Sequence, residues 1–304
     1  MPELPEVETV KRGLDKALKG DAIRSAEVLR QASIAYPDVD DFVRLVKGHK
    51  FGHVLRRGKY LLIELDKGAG LACHLRMSGR LIVRAGARSG SDSESESGSS
   101  REPKFLRVIF YLESGRELHF EDMRVFGRLW YKPKGASFEK VIPTLAELGV
   151  EPLEDMDGKH LQKLFANKSQ PIKTALLDQR LIAGIGNIYA DESLFLAGVH
   201  PLTPARDVKL AVLERLSDNV KTVLERSIAS GGSTLRDYSD SDGVNGKYQH
   251  EAYVYGRQGQ PCRTCGELIE RLRIAGRSSH FCPHCQPKPR GVKVPLSKKS
   301  KKNN

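Results

Sequence analysis

Near Pro143 the apolar residues of this chain change their spacing from every second position to about every 3.6, and that switch sets what the chain can fold into. Before it lie short runs rich in branched residues: Ile23–Leu29, Lys50–Arg56, Tyr60–Leu65, Gly70–His74, Arg80–Val83, Phe105–Leu112, Glu117–Phe120 and Arg128–Tyr131. Many short strands with glycine-rich turns predict a two-layer β-sandwich rather than a parallel sheet. A first helix is expected over Val7–Leu18 and a short one over Asp40–Val46. Beyond Pro143, helical patterns run through Leu145–Leu148, Gly158–Asn167, Pro171–Asp178, Ile188–Ala197 and Asp207–Ser230. A chain of 304 residues has room for two cores, so the pattern predicts an α+β multidomain protein. The boundary is expected at the Lys132-Pro133-Lys134-Gly135 turn, which gives a sandwich over 1–135 and a helical domain over 136–234.

Four of the five cysteines are spaced Cys262-x2-Cys265-x16-Cys282-x2-Cys285. Two tight turns that each offer two thiolates are the pattern of a zinc ribbon, expected here over 251–287 with one structural zinc ion. Cys73 lies in an apolar run and reads as a buried small side chain. No disulfide framework is indicated, which points to a reducing cytoplasm. No apolar run approaches a membrane span, and Glu3, Glu6 and Glu8 argue against a signal-peptide start. The net charge of +12 favours a polyanionic partner, because lysines and arginines gain affinity by releasing phosphate counterions. A polar, serine-rich and acidic run over 84–103 reads as a loop between strands, and 288–304 as a disordered basic tail.

The chain opens Met1-Pro2-Glu3-Leu4-Pro5-Glu6-Val7-Glu8. Removal of Met1, which a small second residue favours, would leave a secondary α-amine on Pro2. An α-amine titrates at about 7.7–8.0, well below lysine, so much of it is neutral and nucleophilic near pH 7. Attack on an aldehyde-like carbon would give an iminium, the electron sink of Schiff-base chemistry. Glu3 stands beside it as a proton donor or acceptor. The alternative is that the two prolines only stiffen an arm before the first helix.

Other stretches offer groups suited to nucleic acid. In Gly184-Ile185-Gly186-Asn187 two glycines allow a tight turn, and Asn187 suits the first position of the next helix, whose free N–H groups would face a phosphate. Lys168 and Lys173, just upstream, would add charge to the same surface. Lys59 sits at the mouth of a strand. His74-Leu75-Arg76-Met77 and Arg124-Val125-Phe126 bring a thioether, a cation and an aromatic to turns, the side chains with which a protein wedges a duplex open. Arg277, inside the ribbon, would be held on a rigid hairpin suited to bidentate phosphate contact. Each of these residues could equally be an ordinary solvated or core side chain.

Together the motifs resemble those of the bacterial formamidopyrimidine-DNA glycosylase family. Pro-Glu-Leu-Pro-Glu-Val-Glu stands at the start, Gly-Ile-Gly-Asn-Ile-Tyr-Ala in the centre and Gly-Arg-Ser before the second cysteine pair. The resemblance runs from Pro2 to about Gln286. It implies a sandwich followed by a helix–two-turns–helix element and a zinc-bound hairpin, acting on damaged double-stranded DNA. By resemblance Pro2 is the nucleophile, Glu3 the acid that helps open the sugar, Lys59 a proton-transfer and phosphate residue, and Arg277 a phosphate grip that assists elimination. Lys168, Lys173, Asn187 and Arg124 match phosphate-binding positions, and His74 is placed among the DNA contacts. Met77, Arg124 and Phe126 match the trio that fills the gap left by a flipped nucleotide, and Gly231–Tyr248 the loop that covers the lesion, set apart as 235–250 in the domain division. The implied activity is excision of oxidised purines with strand cleavage, by a cytoplasmic, nucleoid-associated monomer. Phe105 stands where many members carry a histidine, and Val125 where a second arginine is frequent. An endonuclease VIII-like enzyme for oxidised pyrimidines and a non-catalytic damage-binding protein are the alternatives.

Overall fold

The computed structural model describes residues 1–85, 103–232 and 251–292; the serine-rich run, most of the expected lesion-covering loop and most of the basic tail lie outside them. The chain divides into two compact units, Met1–Glu147 with Ser230–Lys247, and Leu148–Ala229 with Tyr248–Asn304.

The first unit begins with helix α1 (Leu4–Leu18), which starts a turn earlier than the apolar spacing predicts. Glu3 at the N-cap and Glu6 form a capping box, in which the Glu3 N–H donates to Glu6 Oε2 at 2.8 Å. Pro5 falls in the first turn, where its missing N–H costs nothing. Strands β1 (Ile23–Val28) and β2 (Ile34–Tyr36), helix α2 (Val39–Val46), and strands β3 (Phe51–Arg57), β4 (Tyr60–Leu65), β5 (Gly70–His74), β6 (Gly79–Arg84), β7 (Leu106–Leu112), β8 (Glu117–Asp122) and β9 (Arg128–Lys132) follow. They form a four-stranded sheet in the order β1-β7-β8-β6 and a five-stranded sheet in the order β2-β9-β5-β4-β3. Every pairing is antiparallel except β2 with β9.

Leu81, Val108, Phe110, Leu118 and Phe120 from one sheet join Leu61, Ile63, Leu71, Cys73, Leu129 and Tyr131 from the other in a single core. Val7, Val10, Leu14 and Leu18 of α1 belong to the same core. Alternate residues of each strand thus face inward, the two-layer sandwich that the period-two pattern dictates. Short helices α3 (Phe138–Val141) and α4 (Pro143–Ala146) remain with this unit, past the expected turn at Lys132–Gly135. Lys132 Nζ lies 5.5 Å over the Phe138 ring, and Tyr60 Oη is hydrogen-bonded to Thr144 Oγ1 at 2.8 Å.

The second unit contains α5 (Gly158–Phe165), α6 (Ile172–Leu177), α7 (Asn187–Leu196), α8 (Leu210–Ala229) and the hairpin β10 (Glu270–Ile274) and β11 (Arg277–Phe281). Helices α6 and α7 are joined by two successive turns. Leu181 N–H closes the first on Asp178 O at 2.9 Å, and Gly184 makes the second with φ +84°. Gln179 braces both, accepting from Gly184 N–H at 3.0 Å and donating to Ile185 O at 2.8 Å. Tyr189 Oη meets Ser227 Oγ at 2.6 Å and fastens α7 to the long α8. No helix among the described residues is long and apolar enough to cross a membrane.

Candidate functional site

In the first unit, Pro2 and Glu3 are buried while Met1 is exposed. The surroundings hold the Met1 ammonium below its ordinary value through burial, against the opposing pull of Glu3 and Glu6; Lys59 and Arg124 push in the same direction as burial. The N-terminus therefore lies within electrostatic reach of Glu3, Lys59 and Arg124, three of the residues singled out in the sequence.

Lys59 follows Gly58, whose φ of +55° makes the tight β3–β4 turn, and it is only 5% exposed. Its turn is tied to α1: Arg56 Nε reaches Glu8 Oε2 at 3.0 Å, and Arg56 Nη1 donates to Gly58 O at 3.2 Å. His74 ends β5 and packs edge-on against Tyr60, with ring centroids 4.5 Å apart. Burial, reinforced by Arg76 and Lys59, lowers its pKa to about 3. The neutral ring accepts the Arg76 N–H on Nδ1 at 3.0 Å, which leaves Nε2 as the protonated nitrogen and a donor.

Met77 and Phe126 are exposed, 42% and 52%. Arg124 Nη1 lies 3.3 Å from Met77 Sδ, so the two turns that carry the trio meet. Val125 takes the left-handed conformation with φ +57°, which turns its neighbours outward. Nothing in the residue order points to what holds these turns. Asp122, 1% exposed, accepts from Ser78 Oγ at 2.5 Å, from Arg124 N–H at 3.1 Å and from Gly127 N–H at 2.7 Å.

In the second unit Asn187 is the first residue of α7, as expected, but Gly186 takes the cap position and no side chain caps the helix. Asn187 Oδ1 is buried and has no hydrogen-bond partner among the described residues. Lys168 is half-buried in the turn after α5. Lys173 departs from the expectation of a surface charge: it is 1% exposed, with Nζ 2.7 Å from Asp191 Oδ1 and 2.6 Å from Ser278 O. Its spacing on α6 points it inward, and burial demands a counter-charge. Arg277 is exposed at the start of β11, after a turn in which Ala275 (φ +45°) and Gly276 (φ +80°) are left-handed. Arg277 and Lys173 line one cleft of about 240 Å³, with Gln170, Thr174 and Asp178.

Two further residues of α7 escape sequence reasoning. Asp191 accepts from Ser279 Oγ at 3.0 Å and His280 N–H at 2.9 Å, besides pairing with Lys173. Glu192 accepts the N–H groups of Tyr253, Val254 and Tyr255 at 2.7, 2.9 and 2.8 Å. Its pKa is raised because burial outweighs those donors. Adjacent acids within an otherwise apolar helix are the available signal, since such groups are buried only with partners.

The Sγ atoms of Cys262, Cys265, Cys282 and Cys285 all lie within 4.8 Å of one another. A tetrahedron with metal–sulfur bonds of about 2.3 Å has edges of roughly 3.8 Å, and the observed Cys262–Cys285 and Cys265–Cys282 separations of 4.0 and 3.5 Å bracket that value. The set fits one structural zinc with all four positions taken by thiolate. Burial raises Cys262, but N–H groups of Thr264 and Cys265 overcome it and bring the thiol down to about 7, which favours the ligating form.

Three segments match domains of one family: residues 1–129 the formamidopyrimidine-DNA glycosylase N-terminal domain, 148–239 its H2TH domain, and 259–288 a zinc finger found in FPG and IleRS. The chain is 52% identical over 289 residues to a formamidopyrimidine-DNA glycosylase of Gloeobacter violaceus, covering 94% of this chain and 98% of that protein. It belongs to the formamidopyrimidine-DNA glycosylase family. Among solved structures of the family, the MutM (FPG) protein of Thermus thermophilus is 38% identical with a TM-score of 0.81, covering 95% of this chain and all of that one. A Lactococcus lactis FPG variant, solved with DNA containing Fapy-dG, is 32% identical with a TM-score of 0.82 over 94% of this chain and 100% of its own. The N-terminal match falls on the sandwich, the H2TH match on the helices from α5 to α8, and the zinc-finger match on the four cysteines and the β10–β11 hairpin.

Proposed function

We propose that this chain is a bifunctional DNA glycosylase and abasic-site lyase of base excision repair, acting as a cytoplasmic monomer on damaged duplex DNA and removing oxidised purines such as 8-oxoguanine and formamidopyrimidines. The observation that carries the reading is the N-terminus: Pro2 is buried beside Glu3, and the Met1 ammonium one residue ahead of it is within electrostatic reach of Lys59 and Arg124. A stiffening arm would have no need of that company.

A base within a duplex must leave the stack before its sugar can be reached, and a damaged base is cheaper to extrude. On this reading Met77, Arg124 and Phe126 enter the space it vacates and face the orphaned partner. Arg124, Lys168, Asn187 and Arg277 hold phosphates, and His74 contributes its Nε2–H. Lys173 acts from inside the cleft by holding the Ser278 carbonyl, next to Arg277. With Met1 removed, the Pro2 nitrogen attacks C1′ and the base leaves with the bonding pair. The attached nitrogen gives up its N–H proton, which restores its lone pair; Glu3 protonates the ring oxygen, the C1′–O4′ bond breaks, and the lone pair completes an iminium. The iminium acidifies C2′–H; loss of that proton expels the 3′ phosphate, and a second elimination expels the 5′ phosphate. Lys59 relays protons, while Arg277 neutralises charge on the departing phosphate. The zinc, closed by four thiolates, has no position for a reacting water and stabilises the hairpin.

The test is borohydride trapping on a duplex with one 8-oxoguanine opposite cytosine, comparing the processed chain with Pro2→Gly. A covalent protein–DNA band that is lost or sharply reduced in the variant is the expected result. A band only on an oxidised pyrimidine would transfer the chain to the other substrate class. Tight DNA binding with a free Pro2 and no band on any lesion would overturn the enzymatic reading.

A further inference from the structure

Resting on the glycosylase reading above, we infer that Asp122 and Ser78 are positioning residues that lock the two wedge-bearing turns into one rigid probe for base extrusion. The Met77 turn lies between β5 and β6, and the Arg124–Phe126 turn between β8 and β9, more than forty positions away in sequence. One buried carboxylate joins them. Ser78 Oγ donates to Asp122 Oδ1 at 2.5 Å and accepts the Arg124 N–H at 3.1 Å, so the hydroxyl bridges the two turns directly.

The remaining bonds fix the second turn at both ends. Asp122 Oδ1 also accepts from Arg124 N–H at 3.1 Å, and Oδ2 takes Gly127 N–H at 2.7 Å. A side chain at Gly127 could not be tolerated there, because its Cβ would come within 2.6 Å of Phe120 Cζ and 3.2 Å of Asp122 Oδ2. From the other face Arg107 Nε donates to the Asp122 carbonyl at 2.7 Å. The turn between these anchors holds Val125 in the left-handed region and Phe126 half in solvent. Neither Asp122 nor Ser78 is placed to touch the reacting sugar; both are almost wholly buried, at 1% and 7% exposure.

A wedge does work only if its tips cannot recoil when pressed against stacked bases. Met77 and Phe126 are exposed; the ladder pairs Gly79–Asp122 and His74–Arg128 hold the roots of the two turns, and beyond them the Arg124–Met77 approach and the bonds of Ser78 to Asp122 and Arg124 join the turns themselves. Loss of the bridge should weaken extrusion while leaving the chemistry on an already accessible sugar intact.

The experiment compares wild type, Ser78→Ala and Asp122→Asn on two substrates. Excision of 8-oxoguanine from a duplex requires extrusion; borohydride trapping on a single strand with a preformed abasic site does not. Ser78→Ala removes both bonds of the hydroxyl, one of them to an N–H that Asp122 also accepts, and is expected to lower kcat/KM for duplex excision about tenfold and to leave single-strand trapping within about twofold. Asp122→Asn should lower it further. Fluorescence of 2-aminopurine beside the lesion should rise more slowly by the same factor. Duplex excision unchanged in Ser78→Ala, which removes one atom and is expected to fold, would overturn the inference. So would a parallel loss on both substrates. Failure of the wild type to trap on either the duplex or the single strand would instead bring down the glycosylase reading, and this inference with it.

Discussion

Lys173 Nζ sits 2.7 Å from Asp191 Oδ1, and the two side chains are 1% and 0% exposed. The pair joins α6 to α7 and, through Ser278 O, Ser279 Oγ and His280 N–H, joins both helices to the zinc hairpin. A buried ion pair adds little over an apolar pair of similar shape, but removing one partner strands the other charge. Lys173→Met should therefore lower unfolding free energy by about 3–5 kcal/mol in a urea titration. Combining it with Asp191→Leu should recover part of that loss only, because Asp191 has other donors to satisfy.

Two of the buried histidines, His74 and His200, give stability a pH dependence. For His74 the folded pKa is about 3 and the unfolded value about 6.5, so folding favours the neutral ring. Its contribution is complete above pH 6.5 and is lost as pH falls toward 3. Between pH 6.5 and 5 this amounts to about 2 kcal/mol. His200, lowered by burial to about 4, acts in the same direction. Urea midpoints at pH 7.5 and 5 should converge in His74→Asn relative to wild type; an unchanged gap would contradict the assignment.

Val125 offers a stabilising change. A β-branched residue at φ +57° is strained by roughly 1–2 kcal/mol, while asparagine tolerates that region. Val125→Asn should raise the unfolding free energy by about 1 kcal/mol, read as an increase in Tm.

The cysteines should separate into two classes. With zinc bound, thiol reagents should react slowly throughout. After chelation four thiols per chain should react and the hairpin should lose its fold, while Cys73, buried at 0% exposure and raised well above its ordinary pKa by burial, stays protected until the sandwich unfolds. Fast reaction of Cys73 in the chelated protein would show that its core opens with the metal site.

Residue order alone reveals whatever has a local period or spacing. The strands of the sandwich follow the alternation of Leu61, Ile63 and Leu65 or of Val108, Phe110 and Leu112, because each inward side chain is two positions from the next. The zinc ligands are equally local, since each turn supplies its own pair. Strand β2 escapes because Ile34–Tyr36 is too short to show a period, and α3 for the same reason. The early start of α1 depends on a Glu3–Glu6 bond that spacing alone does not reveal. Lys168 and Lys173 look alike in sequence; only the acid on α7 distinguishes the half-buried one from the buried one. Glu192 holds partners some sixty positions along the chain, and Asp122 binds Ser78 forty-four positions back, so no window of neighbouring residues contains those partners.

Asn187 and Asp191 are one helical turn apart on α7, so they share a face about 5–6 Å apart. Asn187 opens the helix at the end where backbone N–H groups lack partners within it, and Asp191 accepts from Ser279 and His280 of the strand that begins with Arg277. Helix α7 is therefore a shared axle: its open end and the arginine hairpin cannot be displaced independently. The distance between that helix end and the hairpin is thereby set by the length of one helical turn rather than by the loops on either side.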